Sequence, residues 1–452
     1  MTDLATNPYL EGPYAPVDTE HTAFDLEVTG TLPPELDGRY LRNGPNPMNV
    51  PDPTNHHWFT GDGMVHGIRL RDGRAEWYRN RWVRSTAISE ALGEEPVPGE
   101  RFAGMEAANT NVIGHAGRTF AIVEAGGRPA ELTDELDTVC YSDFDGTLPH
   151  GFTAHPKRDP LTGELHAVSY YWGRPELLEY VVVGTDGKVR HRADIAVPGN
   201  PMVHDCSITE RFVALYDLPV TFDLDAAMAG KALPYAWNDS YGARVGLLPK
   251  GGEAGEVEWF DVEPCYVFHP MNAYDDGDDV VLDVIRHPRM FDRERRGPND
   301  GAPSLWRWTI DRAAGKVREE QLDDRPVEFP RVDERRVGRP HRYGWGVGLQ
   351  LDGDDVVFGA NAMVRYDRQT GGSEVVDLGP GRDGGEVVFV PRSAEAAEDD
   401  GWYLSLVHDR STDRSELMVL DAAAPSDGPV ARVHLPTPVP LAFHGNWVPT
   451  AG

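Results

Sequence analysis

Short apolar or alternating runs, each closed by Gly, Asp or Pro, recur along the whole chain. GWYLSLVHD (Gly401–Asp409), SELMVLDA (Ser415–Ala422), DDVVLDVIRH (Asp278–His287), DDVVFGA (Asp354–Ala360) and EVVFVPR (Glu386–Arg392) are representative. Runs of this length and punctuation predict β-strands. DDGDD (Asp275–Asp279) and LDGDD (351–355) predict hairpin turns entering strands. The acidic stretches Asp275–Asp279 and Glu395–Asp400 lie between apolar runs and are expected to be solvated turn tips. Helical periodicity is rare, and its best case is the Ala-rich Asp223–Gly230. Many short antiparallel strands in one long chain favour a layered or radial all-β architecture. A propeller removes the exposed-edge problem at this size. Seven blades would take about 65 residues each, more than compact repeat propellers use. No clean internal repeat marks them.

Composition narrows the function. The 452 residues carry 43 Lys+Arg against 74 Asp+Glu, a formal charge of −31. Phosphate recognition needs a basic face, so nucleic acid is not the expected partner. The same charge disfavours polybasic docking on anionic lipid. No run approaches the ~18 apolar residues of a membrane span. The opening MTDLATNPYLEG shows neither a basic n-region nor an apolar h-region, so no signal peptide is expected. The 48 Gly and 37 Pro are spread along the chain rather than gathered in a linker, and 1–452 is expected to be one domain with inserted loops. Three cysteines, Cys140, Cys206 and Cys265, fit reduced thiols of a cytoplasmic protein rather than a disulfide framework. There is no GxGxxG after a strand, Walker loop, GxSxG elbow, HExxH or CxxC, hence no visible apparatus for flavin, nicotinamide, nucleotide or Fe–S chemistry.

Among 16 histidines, four share a local setting: His155 (FTAHPK), His204 (PMVHDCSIT), His269 (CYVFHPMNAY) and His444 (LAFHGNW). Each follows an apolar or small residue and precedes Pro, Asp or Gly, where a strand begins or ends. Only a closed fold could bring them together over such separations. Taken singly, each is equally read as a structural histidine capping a turn. Taken together they offer neutral imidazoles suited to Fe, Cu, Zn or Ni, and residue type does not choose among these metals.

The order of segments is more telling. LDGRYLRNGPNP (Leu36–Pro47), HHWFTGDGMVHGIRL (His56–Leu70), ANTNVIGHAGRTFAIVEAGGRPAEL (Ala108–Leu132), FTAHPKRDPLTGELHAVSYYW (Phe152–Trp172) and FHGNWVP (Phe443–Pro449) resemble, in that order, the carotenoid cleavage oxygenases. These are non-haem iron enzymes, and the resemblance spans nearly the whole chain. It implies a seven-bladed β-propeller with Fe(II) on its axis, a loop and helix dome over one face, and His155, His204, His269 and His444 as ligands. It further implies carboxylates behind three of them: Glu124 for His204, Glu328 for His269 and Glu386 for His444. A carboxylate on the distal imidazole N–H fixes tautomer and ring orientation; the plainer alternative for each is a surface glutamate. Glu386 departs most from the family pattern, with Val387 where Pro is expected and a Gly-rich approach. Thr110, in ANTN, matches a residue whose methyl faces an open iron position; an Asn-Thr-Asn turn explains it equally well.

Insertion of both O₂ atoms across a C=C bond needs no external electrons, which suits a chain without flavin, nicotinamide or haem apparatus. Stilbene-cleaving relatives carry Lys directly before the first glutamate, where it meets the substrate phenol; here that position is Val123. An apolar wall favours a carotenoid or apocarotenoid over a hydroxystilbene. The segment 222–248 is expected to form short helices at the tunnel mouth, with Asp223, Asp225, Lys231 and Asp239 diluting any lipid-facing patch to peripheral contact at most. Cleavage of stilbenes or other phenylpropanoid alkenes, a non-cleaving isomerase and a metal-free propeller scaffold are the alternatives. The cleaved bond and the oligomeric state are not encoded legibly.

Overall fold

The computed structural model describes residues 7–293, 295–298, 300–352 and 355–450. Its antiparallel sheets form the seven blades of a β-propeller. Four are plain four-stranded meanders, running 111–141, 157–196, 206–261 and 270–321. A fifth, at 327–377, joins a sixth, 382–434, through the single pair Ala360–Gly384. The seventh is built from both chain ends. Gly445–Pro449 pairs with Gly38–Pro45, with Tyr40 opposite Trp447, and Thr22–Phe24 adds the outer strand. Val28–Gly30 meanwhile pairs with 429–434 of the preceding blade. The ring is thus closed twice.

The runs read from sequence fall on these strands. Gly401–Asp409 is a strand end to end, and Arg414–Asp421 and Asp279–Arg286 follow the other two closely. Asp276 pairs with Asp279 across a two-residue turn, and Gly277 there holds φ +61°, a conformation glycine takes without cost. In the LDGDD turn Asp352 pairs with Asp355, while Gly353 and Asp354 lie outside the described residues. The Glu395–Asp400 turn is less solvated than expected. Glu398 pairs with Arg336 at 3.2 Å and accepts the Arg342 N–H at 2.8 Å, tying this turn to the neighbouring blade.

Asp223–Gly230 yields one short helix, Leu224–Met228. The Asp223 carboxylate caps Ala226 N–H at 3.0 Å, and Gly230 at φ +72° follows its end. The rest of 222–248 corrects the expectation of short helices. Tyr235–Trp237 pairs with Val220–Phe222, and 244–248 belongs to a blade strand. Pro234 and the aromatic residues Tyr235 and Trp237 that follow it favour extended backbone. The dome is accordingly mostly loop; Thr86–Leu92 is the other α-helix among the described residues.

Between blades the core is apolar. Tyr40, Ile68 and Tyr78 of the closing blade pack on Leu404, Leu417 and Val419 of its neighbour. All three cysteines are free thiols. Burial pushes the thiols of Cys206 and Cys265 up to about 12, so both are inert packing groups.

Candidate metal centre

Each innermost strand starts near the axis, and a residue within two positions of that start lies at the centre of the ring or directly behind a residue that does. In blade order these positions hold Thr110, His155, His204, His269, Glu328, Glu386 and His444. The strands themselves begin at Asn111, Lys157, Cys206, Pro270, Val327, Val388 and Gly445. One topological rule therefore gathers residues spread over more than 300 positions.

The four histidines meet. All are buried, and one ring nitrogen from each lies within 4.8 Å of the others. His204 Nε2 and His269 Nε2 are 3.2 Å apart. The His155 ring centre is 4.5 Å from that of His204 and 4.6 Å from that of His444.

The three glutamates stand behind the expected partners. His204 Nδ1 is 2.9 Å from Glu124 Oε2, His269 Nδ1 is 2.6 Å from Glu328 Oε2, and His444 Nδ1 is 3.0 Å from Glu386 Oε1. Assigned from these partners, each Nδ1 carries the proton and each Nε2 keeps its lone pair. The His155 Nε2 is buried and has no hydrogen-bond partner. Inward-facing lone pairs without donors are unfavourable in a dry site and suit a cation that accepts neutral nitrogen. The residues fit a bound metal.

Several groups behind the glutamates were not legible in the sequence. Glu328 also accepts from His287 Nε2 at 2.9 Å; the HP dipeptide at 287–288 repeats that at 155–156 and 269–270 and is the one available signal. Glu386 is held by Arg331 at 3.1 Å and by the Gly445 N–H at 2.8 Å. Its Gly-rich approach is a packed strand, since a Cβ on Gly385 would meet the Arg42 guanidinium at 2.4 Å. Glu124 also accepts the Tyr170 hydroxyl at 3.0 Å. His155 alone has no glutamate: Asp205 lies 3.8 Å from its Nδ1 and is bound instead to Lys157 Nζ at 2.8 Å.

Burial, and then the charge of the other three rings, holds the His155 pKa well below the usual histidine range. Burial takes His444 down to about 4 against the pull of Glu386. At His269 burial also opposes protonation, but Glu328 outweighs it and the pKa rises. Burial works against the Glu386 charge, yet Arg331 and His444 bring its pKa down to about 2. Glu328 and Glu386 stay ionised, and the His155 and His444 rings are held neutral.

The histidines partition two cavities. An apolar one of about 280 Å³ is lined by His204, His269 and His444, by Phe59, Val123 and Tyr235, and at its mouth by Ala232–Pro234. A polar one of about 260 Å³ lies on the other side, with Lys157, Asp205, Arg331 and Glu334 in its wall. Thr110 borders the apolar cavity, its hydroxyl donated to Asn109 Oδ1 at 3.1 Å and its carbonyl accepting the His444 N–H. Phe329 stacks against His269 at 5.4 Å and holds φ +50°, a strained value for a phenylalanine, next to Glu328.

Comparison with known proteins places this geometry. The family model described as retinal pigment epithelial membrane protein matches residues 14–449. The chain is 50% identical to a carotenoid cleavage oxygenase of Mycobacterium tuberculosis, over 98% of both chains. The chain belongs to the carotenoid cleavage oxygenase family. It is an enzyme of oxidative cleavage, of the dioxygenase class. A carotenoid 9,10(9',10')-cleavage dioxygenase of Crocus sativus is 33% identical over 97% of this chain and 89% of its own. The crystal structure of Pseudomonas brassicacearum lignostilbene dioxygenase superposes with a TM-score of 0.88 at 30% identity, over 98% of each chain. Among the described residues no helix is long and apolar enough to cross a membrane.

Proposed function

We propose that the chain is a single catalytic propeller that cleaves a conjugated C=C bond of a carotenoid or apocarotenoid with O₂, giving two carbonyl products. The observation that carries this is the convergence of four buried imidazoles, three of them lining an apolar cavity and three of them braced by carboxylates. His155, His204, His269 and His444 would hold Fe(II), which when bound supplies O₂ binding and activation. The protein does the rest. Glu124, Glu328 and Glu386 keep three ring planes fixed. Thr110 offers a small, hydroxyl-tethered wall beside His444. Phe59, Val123 and Tyr235 exclude water and align an extended, lipophilic polyene. Trp172, Leu224 and Met228 are 50%, 65% and 82% exposed, but Asp223 caps the short helix and Asp225 lies in its first turn, which supports brief contact with a lipid surface rather than anchoring.

Anaerobic loading with Fe(II), followed by O₂ and a panel of polyenes and stilbenes, tests the reading. One O₂ consumed per alkene and two carbonyl fragments by mass are expected; unchanged mass would mean isomerisation. Retention of both iron and activity in His204→Ala would overturn the ligand set.

A second reading, cleavage of a stilbene or other phenylpropanoid alkene by the same chemistry, is favoured by the close superposition on lignostilbene dioxygenase. Val123 weighs against it.

A further inference from the structure

The three carboxylates are not held alike. Glu328 and Glu386 are almost sealed, with side chains 2% and 3% exposed, and each is fixed by several donors. Glu124 borders the apolar cavity, its side chain 13% exposed. Its described donors are two, the His204 ring at 2.9 Å and the Tyr170 hydroxyl at 3.0 Å, and both use the same oxygen, Oε2. Tyr170 closes the strand Leu165–Tyr170 of the blade that carries His155, and is itself buried. Its ring is packed edge-on against Tyr235 at 6.0 Å, so the hydroxyl is delivered from a fixed direction.

We propose that Tyr170 is a positioning residue for the centre: its hydroxyl orients the Glu124 carboxylate, and through it the His204 ring. This rests on the four-histidine metal reading. The reasoning is geometric. A carboxylate at a cavity wall with one imidazole donor can rotate toward the opening; a second donor on the same oxygen, from a rigid strand end, removes that freedom. Glu328 and Glu386 need no such help because their surroundings already clamp them. Glu328 also lines the cavity but is nearly sealed; Tyr170 is the clamp for the most exposed of the three glutamates. It needs no contact with the substrate or the ion.

Cobalt(II) is the probe, added to metal-stripped full-length protein in competition with a chelator. Loss of one ordinary hydrogen bond is worth a factor of roughly 3–10, so Tyr170→Phe should weaken cobalt binding by about that factor and alter the ligand-field spectrum. With iron, kcat should fall several-fold while KM holds, because the ring that lines the cavity is kept. Tyr266→Phe is the control. Its hydroxyl binds the Met202 carbonyl at 3.0 Å, and its loss should leave affinity and spectrum as in the wild type. In a Glu124→Gln background, Tyr170→Phe should add nothing. Unchanged cobalt affinity in Tyr170→Phe, or full additivity with Glu124→Gln, would overturn the proposal alone. Failure of the wild type to bind one cobalt at the histidines would overturn the metal reading, and this inference with it.

Discussion

Arg331 sits 3.1 Å from Glu386, so a guanidinium from one blade neutralises the carboxylate behind His444 in the closing blade. Removing one partner of a buried ion pair costs about 3–5 kcal/mol, because the other charge is left unpaired. Arg331→Met should therefore lower Tm by a few degrees in a chain of this size. Arg331→Met with Glu386→Gln should lose less than the sum of the single changes. Thermal unfolding of the three variants checks this, and strict additivity would show that the pair is not coupled.

Glu328 is the only carboxylate of the three that bridges two imidazoles, His269 at 2.6 Å and His287 at 2.9 Å. Glutamine keeps the shape but offers one acceptor in place of two, so one imidazole N–H must lose its partner. Loss of a carboxylate behind a metal ligand typically costs 10–100-fold in metal affinity. Glu328→Gln should show a loss in that range by chelator competition, with the far-UV spectrum unchanged. Wild-type affinity would mean that His269 is held by packing on Phe329 alone.

The strand runs and the four-histidine set were legible because each rests on local pattern or on segment order. Gly401–Asp409 is bounded by its own turn signals, and each histidine stands beside the Pro, Asp or Gly that opens an inner strand. What was not legible is what arrives from other blades. Arg331, Tyr170, Lys157 and Asp205 carry no local mark, since their roles arise from where the ring places them. The segment 222–248 was misjudged for a related reason. Its alanines favour a helix locally, but Tyr235–Trp237 finds a strand partner in Val220–Phe222, and pairing outweighs a weak helical preference.

His166 sets an acid limit that is independent of any metal. Its ring stacks on Tyr180, hydrogen-bonded to the Tyr180 hydroxyl at 2.7 Å, and burial lowers its pKa to about 4. In the unfolded chain the same group titrates near 6.5. Between these values the unfolded state binds the extra proton, so stability must fall as pH drops from about 6.5 to 4 and level off below. The full contribution is about 3 kcal/mol at most. His166→Gln should flatten the dependence of Tm on pH in that window. A wild-type slope retained in the variant would assign the acid sensitivity to other buried histidines, such as His66.

Val123 is the residue on which substrate choice turns. It is 7% exposed on the wall of the apolar cavity, beside Glu124, and among the described residues lining that cavity none is a lysine. A phenolic substrate would have to bury its hydroxyl there without a lysine ammonium to pair with it, and a hydrogen bond to a charged group is worth about 1.5–3 kcal/mol. That translates to roughly 10- to 100-fold in kcat/KM. The iron-loaded enzyme should therefore favour an apocarotenal over resveratrol by a factor in that range. Val123→Lys should narrow the gap from both sides: the buried ammonium costs the polyene its apolar wall and gives the phenol a partner. Fast turnover of resveratrol by the wild type beside inert apocarotenals would reverse the assignment and make the alkene a stilbene.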